Sequence, residues 1–199
     1  YSELLLARGR ADQQIAASVS IINDTLADLK SINDEIVTGT IVGRDVFDQM
    51  DIRDQLVNRL SEEIGISVLP AENNDIIITT TGGALLFENS PRSVAFQPTS
   101  VFGAATIGGS LQVDGVVVSG DDATFQVRSG KLAGYLDLRD NFLARQQNQL
   151  DEVARGLISV FSEADQAAGT KPNLVGLFSW DGGPGLPASG VLERGIAAS

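Results

Sequence analysis

Histidine and cysteine are both absent from this 199-residue chain. Their absence excludes the usual ligand sets for zinc, haem and iron–sulfur clusters, and every Ser–His–Asp or Cys–His mechanism. No disulfide can form, so cysteine usage gives no sign of compartment. Aromatic residues make up only 6%, with one Trp and two Tyr, a thin supply for a thick globular core or for stacked sugar platforms. Positive charge is scarce too: 14 Lys and Arg face 26 Asp and Glu, a formal net charge of −12. A field of that sign repels nucleic acid and anionic lipid, and no basic cluster relieves it. Long apolar runs are also lacking. The longest, such as "ELLLA" and "GVVVSG", are far too short to span a bilayer. No nucleic acid, membrane or cofactor is therefore expected. The chain starts at Tyr1 without Met or a basic-then-apolar leader, and is expected to be a piece of a longer protein.

What is present favours long helices. Hydrophobic residues reach 43%, enough for a buried core, and they are mostly Leu, Ile, Val and Ala. Ile15, Val19, Ile22, Leu26, Leu29 and Ile36 recur at alternating four- and three-residue steps, with only Asn33 polar in the series. That is a heptad seam, and it predicts a helix from about Leu4 to Val37. "TGTIVGRD" breaks it, Asp45 is a helix cap by type, and "VFDQMDIRDQLVNRLSEEI" predicts a second helix ending at Gly65.

The period then becomes strand-like. "ISVLP", "DIIITTT", "ALLFEN" and "SVAFQP" are β-rich runs separated by "AENN", "GG" and "SPR". Asp114-Gly115 marks a tight hairpin inside "LQVDGVVV", and "ATFQV" reads as the last strand. A third helix is predicted from a cap at Ser129 to about Ala168, with Leu136, Leu143, Leu150 and Leu157 every seven residues and Val153 and Val160 beside them. Such a helix would be a rod of about 55–60 Å. The expected class is mainly α with a β insertion (α+β), an elongated bundle of long helices plus a small antiparallel β subdomain. Residues 1–65 form the first part of a helical rod, 66–128 the insertion, 129–169 the long third helix, and 170–199 the irregular start of a further domain.

One phrase occurs twice. Asp51-Ile52-Arg53-Asp54 returns as Asp137-Leu138-Arg139-Asp140. Four carboxylates and two arginines invite a catalytic or metal reading. A glycosidase pair needs a cleft, and a calcium site needs oxygens converging from a loop. Both copies sit instead within helical heptads, and aligning them puts Arg53 and Arg139 on the apolar seams. The flanking Asp residues fall at i−2 and i+1, poor offsets for pairing along one α-helix. A seam arginine must find partners on another segment, because a buried unpaired charge is very costly. Asp51, Arg53, Asp54, Asp137, Arg139 and Asp140 are thus expected to fix helix register, with no catalytic, cofactor or metal site. "FGAATIGGS" and "WDGGPG" lack the Lys-Ser/Thr of a phosphate loop and read as turns. Asn23-Asp24-Thr25 matches a glycosylation acceptor but lies mid-helix.

The segments "DQMDIRDQLVNRLSEEIGISV", "SGKLAGYLDLRDNFLARQQNQLDEVARGL" and "FSEADQAAG" resemble the flagellar hook-associated protein 1 family, the junction proteins between hook and filament. The doubled phrase, Gly65 after the first copy, and Gly130 and Gly134 before the second carry the likeness, which covers about residues 20–180. Met50 stands where Leu is expected, and the third segment lacks the His common in the family, so a divergent branch is indicated. The resemblance implies export through the flagellar secretion channel, an extracellular place in the flagellum, and ring assembly with other copies. It also implies contact with hook protein, the second junction protein and an export chaperone. The family's terminal coiled-coil segments are missing, so this piece is expected to be monomeric. Another axial component, flagellin or the second junction protein, and a surface adhesin or carbohydrate-binding protein are the alternatives.

Overall fold

The computed structural model describes residues 1–103, 106–162, 177–179 and 197–198. Helix α1 runs Ser2–Ile41, four residues past the expected end. Its seam is buried throughout: Ile15, Val19, Ile22, Leu26, Leu29 and Ile36 are all in the interior. Each fully buried Leu or Ile contributes about 1.5–3 kcal/mol relative to exposure, so the seam is the main source of α1's stability. A left-handed Gly43 (φ +71°) turns the chain out of the helix. Helix α2 spans Phe47–Glu63, and Asp45 Oδ1 accepts the Phe47 N–H at 3.1 Å. Gly39 lets this entry pack closely, since a Cβ there would lie 2.4 Å from Val46 Cγ1.

Beyond α2 the chain builds small antiparallel sheets. Strands β1 (Ile66–Pro70), β2 (Ile76–Thr80), β3 (Leu85–Glu88) and β4 (Ser90–Pro91) pair in sequence order. In β2, Ile76, Ile78 and Thr80 alternate inward, as period-two patterning requires. Strands β5 (Val94–Phe96), β6 (Leu111–Val113) and β7 (Val116–Val117) make a second sheet. Its hairpin turns through Asp114 (φ +47°) and Gly115 (φ +79°), the conformation a two-residue type I′ loop demands. "ATFQV" is not a strand. It crosses over the Gly82-Gly83 turn, where a Gly82 Cβ would lie 2.3 Å from the Gln126 carbonyl, and its Val127 N–H bonds Val118 O, just past β7.

The expected third rod is interrupted. Helix α3 covers Lys131–Asp137, a π turn covers Leu138–Phe142, and helix α4 runs Leu143–Val160. Ser129 is not its cap. Gly130 (φ +89°) precedes the helix, and Ser129 Oγ shares a hydrogen bond with Thr81 Oγ1 at 3.2 Å. The tail expected at 163–169 and most of 170–199 lie outside the described residues. Within them, β8 (Phe178–Ser179) pairs antiparallel with β9 (Ala197–Ala198).

Two compact units divide the chain. One comprises Arg10–Thr99 and Gly108–Leu138, the other Tyr1–Gly9, Ser100–Ile107 and Arg139–Ser199. In the first, a continuous core joins the α1 seam to Leu60 and Ile64 of α2, the inner faces of both sheets, and Leu132 and Leu136 of α3. The second has α4, whose buried residues are Leu143, Gln147, Asp151 and Ile158.

Candidate functional site

Arg53 lies on the inner face of α2 and is 6% exposed. Its Nη1 donates to Asn33 Oδ1 at 3.1 Å and to the Asn74 carbonyl. Asn33, the polar residue in the Ile15–Ile36 stretch of the α1 seam, donates in turn to Asp75 Oδ1 at 2.6 Å. Asn73 (φ +55°) and Asn74 (φ +60°) form a left-handed turn between β1 and β2, a conformation asparagine tolerates better than most residues. Asn74 Nδ2 also donates to Thr40 Oγ1 at 3.0 Å. Burial lowers the Arg53 guanidinium from its ordinary value, while the charges of Asp54 and Asp75 oppose that shift. Asp51 and Asp54 themselves are exposed. The arginine therefore fastens α2 to α1 and to the tip of a β-hairpin.

The second copy is built differently. Arg139 is 1% exposed and forms a two-point ion pair with its own neighbour, Nε to Asp140 Oδ1 at 2.8 Å and Nη2 to Asp140 Oδ2 at 2.7 Å. The expectation that an i+1 carboxylate is badly placed fails here. That rule holds for α-helical spacing, and Arg139 lies in a π turn, where it curls back onto the next carboxylate. Asp137 stays exposed.

Arg8 completes this joint, and it was not among the expected residues. It is buried, and donates from Nε to the Arg139 carbonyl at 3.2 Å, from Nη1 to Gly103 O at 3.3 Å and from Nη2 to Thr106 O at 2.7 Å. Its guanidinium also lies 4.8 Å from the centre of the Phe102 ring. A signal was there to find. Arg8 extends the heptad series Ile15, Ile22, Leu29, Ile36 backwards, as Asp12 extends Val19, Leu26, Asn33. Asp12 is buried, and its Oδ2 accepts the Thr99 N–H at 2.6 Å. Arg8 and Asp12 each capture loop backbone.

A third joint links the end of α2 to the start of α3. Glu63 Oε2 accepts Ser18 Oγ–H at 2.7 Å, and Oε1 accepts Lys131 Nζ–H at 2.8 Å. Burial alone would raise the Glu63 carboxyl, but hydrogen bonds from Lys131 and Ser18 outweigh it and hold the group below its ordinary value. Gly130 and Gly65 make the close approach possible. A Cβ on Gly130 would lie 2.6 Å from Glu63 O, and one on Gly65 would lie 1.7 Å from Ser129 Oγ. Two glycines that carry the likeness are thus explained by close approach, of Gly130 to the Glu63 backbone and of Gly65 to the Ser129 side chain. Asn23 is committed as well: its amide donates to Val94 O at 2.8 Å and its carbonyl oxygen accepts Val94 N–H at 3.1 Å. Among the described residues no group of three or more His, Cys, Asp or Glu converges as a metal site, and no helix is long and apolar enough to cross a membrane.

The family model described as the helical domain of flagellar hook-associated protein FlgK matches residues 1–174. This chain belongs to that family. It is 30% identical over 156 residues to flagellar hook-associated protein 1 of Escherichia coli K12, across 77% of this chain and 28% of that protein. Its fold is similar to the flagellar hook junction protein FlgK of Burkholderia pseudomallei, with a TM-score of 0.64 and 21% identity, over 90% of this chain and 34% of that one. The FlgK-family chain seen here therefore spans about a third or less of the length of these relatives. Its α+β architecture is that of the family's helical domain, and the doubled phrase supplies two of that domain's internal joints.

One part of the expected seam is corrected. Leu136 and Leu143 are buried, but Leu150 is 49% and Leu157 41% exposed. The π turn adds a residue before α4, so the face that turns inward carries Gln147, Asp151 and Ile158 instead.

Proposed function

We propose that this chain is the helical part of a protein that joins the flagellar hook to the filament, working by shape and subunit contacts and not by catalysis. The observation that carries this reading is the family match over residues 1–174. The geometry supports it, since Arg8, Arg53, Arg139 and Glu63 are all engaged in holding helices and loops together. The full-length protein is exported unfolded through the flagellar secretion channel with a dedicated chaperone. It then assembles as a ring of copies between hook protein and the second junction protein. The present piece by itself is monomeric.

The test is complementation. The full-length protein, expressed in a flagellated bacterium lacking its own hook-associated protein 1, is expected to restore attached filaments and swimming. Export without filament attachment would overturn the reading. Sedimentation of the 199-residue chain should give a monomer, and a stable ring would contradict the monomer reading.

A further inference from the structure

Helix α4 is amphipathic in a way that its packing does not use. The heptad series places Gln146, Leu150, Val153, Leu157 and Val160 on one stripe. The buried stripe is Gln147, Asp151 and Ile158, with Ala154 half-buried between them, each one residue later. The result runs against hydrophobic logic. Val153 is 62% and Val160 77% exposed, while Asp151 is 8% exposed and Gln147 only 2%. Gln147 Nε2 donates to the Tyr1 hydroxyl at 2.8 Å, but its buried Oε1 has no hydrogen-bond partner among the described residues. Burial pushes the Asp151 carboxyl above its ordinary value.

The one-residue offset has a visible cause. A π turn holds one residue more than an α turn, so each residue after Leu138–Phe142 sits where its predecessor would sit in an unbroken helix. If the turn closed to α geometry, α4 would rotate by one residue, about 100° at 3.6 residues per turn. Leu150 would then replace Asp151, Leu157 would replace Ile158, and Val153 would replace Ala154. Inside the widened segment, the Arg139 carbonyl accepts a hydrogen bond from Arg8 Nε at 3.2 Å.

We infer that the Leu138–Phe142 turn is a register switch, with Arg8 as its latch. With the turn open, α4 presents the Leu150–Val153–Leu157–Val160 stripe to the outside. With it closed, the stripe is withdrawn and Gln147 and Asp151 return to water. The second Asp-x-Arg-Asp phrase thus marks the place where an apolar helix face is turned out or in.

The absence of cysteine makes the test clean, because single introduced thiols report alone. In the 199-residue chain, Leu157→Cys should label with a thiol reagent at least 10-fold faster than Ile158→Cys. Adding Arg8→Gln should shrink or invert that ratio, slowing position 157 and speeding position 158. Deleting Asn141 removes the extra residue and leaves the downstream face unchanged, so it locks the observed register. In that background Arg8→Gln should no longer move the ratio. Equal acceleration at both positions, or no change, would overturn the switch and leave Arg8 a simple fastening. Should Arg8→Gln fail to fold, the deletion alone decides the matter. It is expected to slow native-state labelling of Ile158→Cys at least 10-fold while Ile22→Cys in the α1 core is unaffected, and an unchanged rate at position 158 refutes the proposal.

Discussion

The two copies of Asp-x-Arg-Asp begin from the same residues and reach opposite solutions. In the first, α2 is unbroken, Arg53 reaches away to Asn33 and Asn74, and the seam continues inward through Leu60 and Ile64. In the second, the helix opens into a π turn, Arg139 folds onto Asp140, and Leu150, the counterpart of Ile64, is turned out. The phrase dictates that an arginine is buried, because it puts that residue on the apolar face. It does not dictate the partner. The surroundings bear on that: a left-handed Asn73-Asn74 turn offers the Asn74 carbonyl to Arg53, whereas the π turn brings the Asp140 carboxylate within reach of the Arg139 guanidinium.

The largest expected effect lies where α2 meets α3. Gly130→Ala forces a side chain into a φ of +89° and against the Glu63 carbonyl at 2.6 Å. It should cost about 3–4 kcal/mol, since both the backbone conformation and the neighbouring main chain resist it. Urea unfolding of the variant measures this, and a loss below about 1 kcal/mol would mean that α2 and α3 can separate without penalty. Next, Arg139→Ala should cost about 3 kcal/mol and Arg53→Ala about 2 kcal/mol, the former losing an ion pair and the latter leaving neutral acceptors unmet. The reverse order would show that the Asn33–Asn74 cluster is the stronger fastening.

Acid separates the regions by sign. Glu63 has a carboxyl held below its ordinary 4.5, so its contribution is full above that value and disappears as pH falls through the lowered folded value. Asp151 is raised above its ordinary 3.8, so its contribution is full below that value and is lost as pH rises through the raised folded one. Mild acid should therefore protect α4 amides from hydrogen exchange before stronger acid loosens the Glu63 joint. Asp151→Asn should remove the first effect and Glu63→Gln the second. A single uniform acid response across both regions would contradict the contrast.

How much of this was readable follows from where the forces act. The α1 seam was legible because each of its apolar positions answers to one local period. The same period held Arg8 and Asp12, but an apolar count stops at the first charge, so the latch stayed hidden. The π turn leaves no local signature, since Leu138–Phe142 is a sound α sequence and the hydrogen bond into it comes from Arg8, 131 residues away in the chain. "ATFQV" alternates like a strand, yet the bare Gly82-Gly83 backbone offered it a crossing in place of a ladder. Distant backbone partners, and not propensity, account for each miss.

The smallest effect sharpens the comparison most. Gly134 is one of the glycines that carry the family likeness, it sits inside α3, and nothing described lies within 4 Å of the Cβ it lacks. The first copy has Asp48 at the equivalent position, in the first turn of α2, where a carboxylate suits the helix dipole. Among the described residues no contact explains a glycine at 134, unlike Gly65 and Gly130. Gly134→Ala should stabilise the isolated chain by about 0.5–1 kcal/mol through helix propensity alone. Thermal unfolding detects a gain of that size. If the gain appears and the full-length variant still fails to support attached filaments, the glycine serves a close approach made only in the assembled flagellum. If the isolated chain loses stability instead, α3 needs its flexibility within this fold, and the second copy differs from the first in mobility as well as in partners.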